Sequence, residues 1–319
     1  MSEIQQKLRD EAKRLLEEGK VDYIVGFEPG SLKLSTTPLI TKDRGDVDRL
    51  VVNSFIVNNL ANFLTELTGR AGIVAKGCDS RSIVSLIQDN KVSRENVVIL
   101  GVPCEGIIDL GKIEKLVGKD RDRIDDIVRD GDKVVVTADG KKSEFPITDV
   151  LFDNCQSCEM PTPQECDILL GEPTPPPADK ASGQSKIAQL EAMTPEQRWE
   201  FWKNEFSRCI RCYACRNVCP ACFCRRCFVE ESEPQWLLPV QQWQENAFFQ
   251  VVRTIHVAGR CTDCGECERA CPMNIPLRSL TKETYDIVGD LFDFKSGMDK
   301  DALALMTHYE QEEAEGLVK

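Results

Sequence analysis

The feature that most constrains this 319-residue chain is a cysteine pattern that occurs twice. Cys209-Ile-Arg-Cys212-Tyr-Ala-Cys215-Arg-Asn-Val-Cys219-Pro220 is spaced C-x2-C-x2-C-x3-C-P, and Cys261-Thr-Asp-Cys264-Gly-Glu-Cys267-Glu-Arg-Ala-Cys271-Pro272 repeats the spacing. Three thiolates two residues apart wrap one face of an iron–sulfur cube, and the fourth, followed by proline, crosses to the other cube of a pair. The pattern assigns Cys209, Cys212, Cys215 and Cys271 to one 4Fe-4S cluster, and Cys261, Cys264, Cys267 and Cys219 to a second. Zinc is the plain alternative, since C-x2-C pairs also fit a tetrahedral ion, but the trailing Cys-Pro has no role there.

Eleven of the sixteen cysteines lie between Cys209 and Cys271, whereas there are two histidines, His256 and His308. That scarcity disfavours histidine-based catalysis and mixed Cys/His zinc sites. Cys222, Cys224 and Cys227 follow Pro220 as C-x-C-x2-C, three candidate ligands that need a fourth from elsewhere. Cys78 and Cys104 fall at the ends of two expected strands, where α/β folds build sites. Cys155, Cys158 and Cys166 sit in NCQSCEMPTPQECDILLG. A third cluster is expected on Cys155 and Cys158, with Cys104 and either Cys166 or Cys78. The bland alternative makes Cys78 and Cys104 small buried hydrophobes. Arg208, Arg211, Arg216, Arg225, Arg226, Arg260 and Arg269 crowd the motifs. Guanidinium beside an anionic cluster favours its reduced state, although for any single one of these an ordinary surface arginine is the better reading.

Along the chain, VDYIVGF (Val21–Phe27), GIVAKG (Gly72–Gly77), NVVILGV (Asn96–Val102), KVVVT (Lys133–Thr137) and DILLG (Asp167–Gly171) read as short buried strands. SRSIVSLIQDN lies between the second and third at helical spacing, a β–α–β pattern that implies parallel pairing. The expected architecture is an α/β N-terminal domain plus a mainly helical dicluster domain. Its limits are 1–171 for the α/β domain, 172–190 for a proline-rich linker, 191–285 for the dicluster domain and 286–319 for a C-terminal tail. The linker, EPTPPPADKASGQSK, reads as exposed and semi-rigid. Thr194-Pro195-Glu196-Gln197 is a capping box with a proline start, so a helix should lead into Cys209. Leu237–Gly259 has apolar residues at about helical spacing (Val240, Trp243, Phe248, Val251, Val252, Ile255), which predicts a helix between the motifs. The final YEQEEAEGLVK reads as a solvated acidic tail.

Net charge is −13, from 40 basic and 53 acidic side chains, which makes nucleic acid and anionic membranes poor partners. No apolar run approaches the roughly 18 residues of a membrane span. The N-terminal MSEIQQKLRDEAKRLLEEGK reads as an amphipathic helix rather than a secretory signal. The expectation is a cytoplasmic, reducing compartment in which clustered cysteines hold metal before they form disulfides. Gly106–Ile113 nearly matches a phosphate-binding loop, but Ile113 replaces the hydroxyl that would meet Mg²⁺.

KGCDSRSI (Lys76–Ile83), GVPCEG (Gly101–Gly106) and NCQSCEMPTPQECDILLGEP (Asn154–Pro173), with VDYIVGF before them, resemble the beta-subunit family of coenzyme F420-dependent hydrogenases and formate dehydrogenases. In that family a C-x2-C pair before an Asp-Ile-x-x-Gly strand, with a Pro-Cys from an earlier strand, is associated with an iron–sulfur cluster. The resemblance therefore implies Cys104, Cys155 and Cys158 as ligands. The dicluster part resembles helical ferredoxin domains of heterodisulfide-reductase-type and succinate-dehydrogenase-type subunits. Together these imply an electron-transfer subunit of an anaerobic oxidoreductase, partnered by a catalytic or flavin-containing subunit. Family members that reduce F420 bind FAD and usually carry a Gly-Ser-Gly-Gly-like stretch; the nearest segment here, FEPGSLKLSTT (Phe27–Thr37), has a single Gly-Ser. The alternative function, FAD-mediated hydride exchange with F420 or a nicotinamide, therefore rests on the resemblance alone.

Overall fold

The computed structural model describes residues 3–305 and 307, so His308 and the acidic YEQEEAEGLVK segment lie outside the described residues. The chain divides into two compact units: residues 1–60, 67–77 and 95–188 form the first, and 61–66, 78–94 and 189–319 the second.

The first unit opens with α1 (Glu3–Glu17), an amphipathic helix whose Leu8, Ala12 and Leu15 are buried at helical spacing. Its main sheet contains β1 (Tyr23–Pro29), β2 (Thr36–Thr41), β3 (Ala71–Ala75), β4 (Val97–Gly101) and a two-residue strand, Ile168–Leu169, in the order β2, β1, β3, β4, Ile168–Leu169. β1 and β2 pair antiparallel, and the remaining neighbours pair parallel. β3 is buried at every position, as a parallel strand covered on both faces requires. Between β3 and β4 in sequence runs α2 (Gly77–Gln88). A second sheet is an antiparallel meander of β5 (Ile124–Asp130), β6 (Lys133–Ala138) and β7 (Lys141–Pro146). It closes over Ile124, Val134 and Val136, packed with Ile147 and Val150. The two-residue strand Ile168–Leu169 is β8.

All five expected strands are present, but Lys133–Thr137 belongs to this meander and not to the parallel sheet. β2, β5 and β7 escaped the sequence reading because they bury one face at most; β7, KKSEFP, has only Phe145 half-buried. Around the meander lie α3 (Leu110–Val117), α4 (Ile147–Val150) and α5 (Asp153–Gln156). The proline-rich segment is pinned at Thr174, whose N–H donates to Thr162 Oγ1 at 2.8 Å, and it ends in α6 (Ser185–Glu191).

The second unit contains no strand among the described residues. α7 (Pro195–Ser207) begins with the expected capping box: Gln197 N–H donates to Thr194 Oγ1 at 3.3 Å and Thr194 N–H to Gln197 Oε1 at 2.9 Å. One-turn helices α8 (Ala214–Asn217) and α10 (Glu266–Arg269) sit at matching places in the two cysteine motifs. Between the motifs runs α9 (Trp243–His256), and α11 (Leu277–Phe292) follows. α9 is present as expected, but turned over. Phe248, Val251 and Ile255 are exposed, and Asn246, Gln250, Arg253 and Thr254 are buried. Among the described residues no helix is long and apolar enough to cross a membrane.

Candidate iron–sulfur centres

The two motifs trace the same backbone path. In each, the residues flanking the second cysteine take positive φ: Arg211 at 49° and Tyr213 at 59°, Asp263 at 53° and Gly265 at 72°. This left-handed turn is natural for Gly265 and costs Tyr213 roughly 1–2 kcal/mol. Tyr213 is held there by an edge-on contact with Phe249, ring centroids 5.1 Å apart. The turn directs backbone N–H groups at sulfur. Arg211 donates to Cys209, Asp263 to Cys261 and Glu266 to Cys264. Ile275 N–H reaches Cys271 Sγ at 3.5 Å, and Ala221 N–H serves Cys219.

Two hollows result. Cys209, Cys212, Cys215 and Cys271 line the first, with Tyr213 and Phe249. Cys219, Cys261, Cys264 and Cys267 line the second, with Pro220 and Arg253. Each motif thus supplies three cysteines to its own hollow and sends its fourth across. The hollows differ in environment. In the first, Cys212 is exposed while burial raises Cys209 and Cys215; in the second, burial pushes the thiols of Cys261, Cys264 and Cys267 up to about 12. Cys219 is also raised, by its hydrogen bond with Cys222 and by burial.

Polar side chains hold this arrangement. Asn246 Nδ2 donates to the carbonyls of Phe206 (2.9 Å) and Cys209 (2.8 Å), and Gln250 Nε2 lies 3.7 Å from Cys209 Sγ. On the far side of the second motif, buried Arg81 of α2 donates to Thr262 O (3.2 Å), Ser296 O (2.9 Å) and Tyr285 Oη (3.0 Å). Ser82 and Thr262 hydroxyls are 3.0 Å apart. Arg260 forks onto Asp89, with Nε 2.9 Å from Oδ2 and Nη2 3.0 Å from Oδ1. Of the other arginines that crowd the motifs, five are committed to such partners: Arg208 to Glu205, Arg211 to the carbonyls of Leu238 and Val240, Arg216 to Glu230, Arg226 to Glu231, Arg269 to Glu266.

The donor set fits a pair of iron–sulfur cubes. Four thiols surround each hollow, N–H groups point at sulfur, and the Gln250 Oε1 and Arg253 Nε atoms are buried without a partner. Among the described residues no three His, Cys, Asp or Glu side chains close on a single metal ion. Thiols placed around a cube need not converge on one point as those around zinc must.

Of the other eight cysteines, Cys104, Cys155 and Cys158 are neighbours in the first unit. Burial, together with the thiols of Cys155 and Cys158, pushes Cys104 up to about 12. Gly106 N–H donates toward Cys104, and Ile107 N–H lies 3.4 Å from Cys155 Sγ. Cys166 packs on Gly101 of β4 and directs its thiol to Pro163 O at 3.8 Å. Cys78 opens α2, with its thiol 3.9 Å from Asp79 Oδ1. Cys222 sits with Cys219, Cys224 is exposed, and Cys227 starts the turn that Glu230 caps. Sequence reasoning missed Asn246, Gln250 and Arg253. Their spacing, i, i+4 and i+7, was the available signal: a polar stripe in a helix enclosed by two metal motifs.

Beside Cys104 lies a cavity of about 720 Å³ at the ends of β4 and β8. Its charged lining is Glu3, Glu105, Glu172 and Lys7, and Lys7 is ion-paired to Glu3 at 2.7 Å. This wall carries net negative charge, which weighs against the phosphates of a dinucleotide. The near-match to a phosphate loop is closed as well. The Asp109 carboxylate caps α3 by accepting from Gly111 and Lys112 N–H, and Lys112 Nζ donates to Asp153 at 2.6 Å.

Twin motifs, crossed cysteines and paired four-thiol hollows define a dicluster iron–sulfur protein. Residues 205–275 match the family described as "4Fe-4S dicluster domain". Residues 68–189 match the family described as the C terminus of the coenzyme F420 hydrogenase/dehydrogenase beta subunit, and this one chain joins the two domains. Among similar proteins is the F420-dependent formate dehydrogenase subunit beta of Methanocaldococcus jannaschii, 25% identical over 287 residues that cover 72% of this chain and 74% of that one. Another is the F420-dependent formate dehydrogenase 1 subunit beta of Methanococcus maripaludis, 23% identical over 292 residues, covering 73% and 74%. A solved chain of the F420-reducing NiFe hydrogenase complex from Methanosarcina barkeri is 15% identical, with TM-score 0.41, covering 65% of this chain and 90% of that one.

Proposed function

We propose that this chain is an iron–sulfur electron-transfer subunit of an anaerobic multi-subunit oxidoreductase, of the formate dehydrogenase, hydrogenase or heterodisulfide-reductase type. The observation that carries this reading is the sorting of eight cysteines into two hollows, each completed by the crossing cysteine of the other motif. Bound clusters supply one-electron exchange without forming a bond to substrate. The chain's own part is to hold the thiolates, donate N–H groups to their sulfurs and keep water from the second hollow. The first hollow, with Cys212 exposed, is where electrons enter or leave; the second is the inner station. Cys104, Cys155 and Cys158 hold a third cluster, with Cys166 as the nearest-in-sequence candidate for the fourth position. The two formate dehydrogenase beta subunits among the relatives support a catalytic or flavin-containing partner. The acidic wall beside Cys104 favours relay without a flavin of the chain's own.

Iron, acid-labile sulfide and flavin per chain, measured on anaerobically purified protein, test this. About eight irons are expected from the dicluster part and about twelve with the third cluster, with matching sulfide and no flavin. Iron-free protein overturns the proposal, and stoichiometric flavin replaces simple relay by a flavoenzyme.

A further inference from the structure

α9 carries a buried cation with no carboxylate. Arg253 is 2% exposed, and among the described residues it forms no ion pair. Its Nη2 donates to Cys215 O at 3.0 Å, while its Nε is buried and unpartnered. An isolated buried charge is costly unless an opposite charge compensates it. The carboxylates around the second hollow are already taken. Arg278 holds both oxygens of Asp263 at 2.7 Å, Arg269 holds Glu266 at 2.9 Å, and Arg260 holds Asp89 at 2.9 Å. What acts electrostatically on Arg253 is sulfur from both hollows: Cys215 from the first, Cys219 and Cys267 from the second, and Cys222 beside them. It also lines the second hollow.

We propose that Arg253 is the shared counter-charge of the two clusters, one guanidinium that stabilises the reduced form of each and holds both potentials up, the second cluster's most. This rests on the functional reading above, since the missing anions are the thiolate-bound clusters themselves. Each cluster gains one negative charge when it takes up one electron, so a fixed cation beside it favours the reduced state. Placed between two stations, it also lessens the penalty of having both reduced. The partnered arginines of the motifs are less suited to this, because Arg208, Arg211, Arg216, Arg226, Arg260 and Arg269 each share their charge with a carboxylate or a carbonyl.

The test is an anaerobic redox titration of the full-length loaded chain, following each cluster by electron paramagnetic resonance, with Arg253→Gln, Arg253→Lys and Arg208→Gln beside wild type. Arg253→Gln should lower the reduced-to-oxidised ratio of the second cluster at a fixed poise about tenfold, a shift of about 59 mV to the negative for a one-electron couple. The first cluster should shift the same way by less. Arg253→Lys should restore most of the shift, and Arg208→Gln should move neither couple. If Arg253→Gln loads too little iron to titrate, a loaded Arg253→Lys chain with near wild-type potentials supports the charge requirement. Failure of both variants to load assigns Arg253 to packing and overturns the inference. Loaded Arg253→Gln with unmoved potentials also overturns it and leaves the functional reading intact. Iron-free wild type overturns that reading itself.

Discussion

Gly77 stands where β3 gives way to α2, and a Cβ there would lie 1.7 Å from the Met160 carbonyl oxygen. The obstacle is backbone, not the end of a flexible side chain, so Gly77→Ala must displace the Met160–Pro161 segment. Pro161 O accepts the Cys104 N–H at 2.9 Å, which ties that segment to the three clustered thiols of the first unit. Gly77→Ala should therefore cost about 1–3 kcal/mol, the usual range for forcing extra volume into a packed site. It should also release iron from the first unit while the dicluster signals persist; unfolding curves together with iron per chain check both effects. Legibility at this scale was uneven. Cysteine spacing exposed the crossing partition because the spacing itself is the geometry. Arg253 stayed hidden because a buried cation is recognised by what surrounds it in space, and the residues around it come from both ends of the dicluster region.

At the scale of elements, α2 carries more polar burial than its sequence advertises. SRSIVSLIQDN reads as the crossover helix of a β–α–β unit, and its apolar residues are indeed buried. Yet Asp79, Ser80, Arg81 and Ser82 are buried with them, and residues 78–94 pack in the unit that holds both cysteine motifs. Arg81 is the anchor, with donors to Thr262 O, Ser296 O and Tyr285 Oη. Arg81→Met leaves two buried carbonyls unsatisfied, and hydrogen bonds to a charged group are worth about 1.5–3 kcal/mol each. A loss of roughly 3 kcal/mol or more is expected, read as earlier loss of cluster absorption during anaerobic denaturation. Arg81→Lys should recover only part, since one ammonium nitrogen cannot span acceptors that Arg81 reaches with three separate nitrogens. α9 teaches the complementary lesson. Apolar residues at helical spacing located the helix, but the face it buries was chosen by the thiols and carbonyls beside it, which demand donors. Periodicity finds the element, and the partner decides which side turns inward.

For the whole molecule, the question is whether iron is confined to one unit or held by both. The second unit contains everything a pair of clusters needs: two motifs, crossing cysteines and buried donors. The first unit presents three thiols, with backbone donors from Gly106 and Ile107 in the segment that follows β4. Cys104, Cys155 and Cys158 are adjacent and half-buried. Burial and the neighbouring Cys155 and Cys158 thiols push Cys104 up to about 12, so its thiolate is costly to form without a metal. Iron would convert that cost into binding, because a metal takes the thiolate and releases the proton. The double variant Cys155→Ser, Cys158→Ser separates the two cases. If both units hold clusters, iron should fall from about twelve to about eight per chain, with sulfide in step. The two dicluster resonance signals should be unchanged, because none of their eight ligands is touched. An unaltered iron content near eight in both wild type and variant would instead make the first-unit thiols packing residues. Relay would then begin and end within the dicluster part.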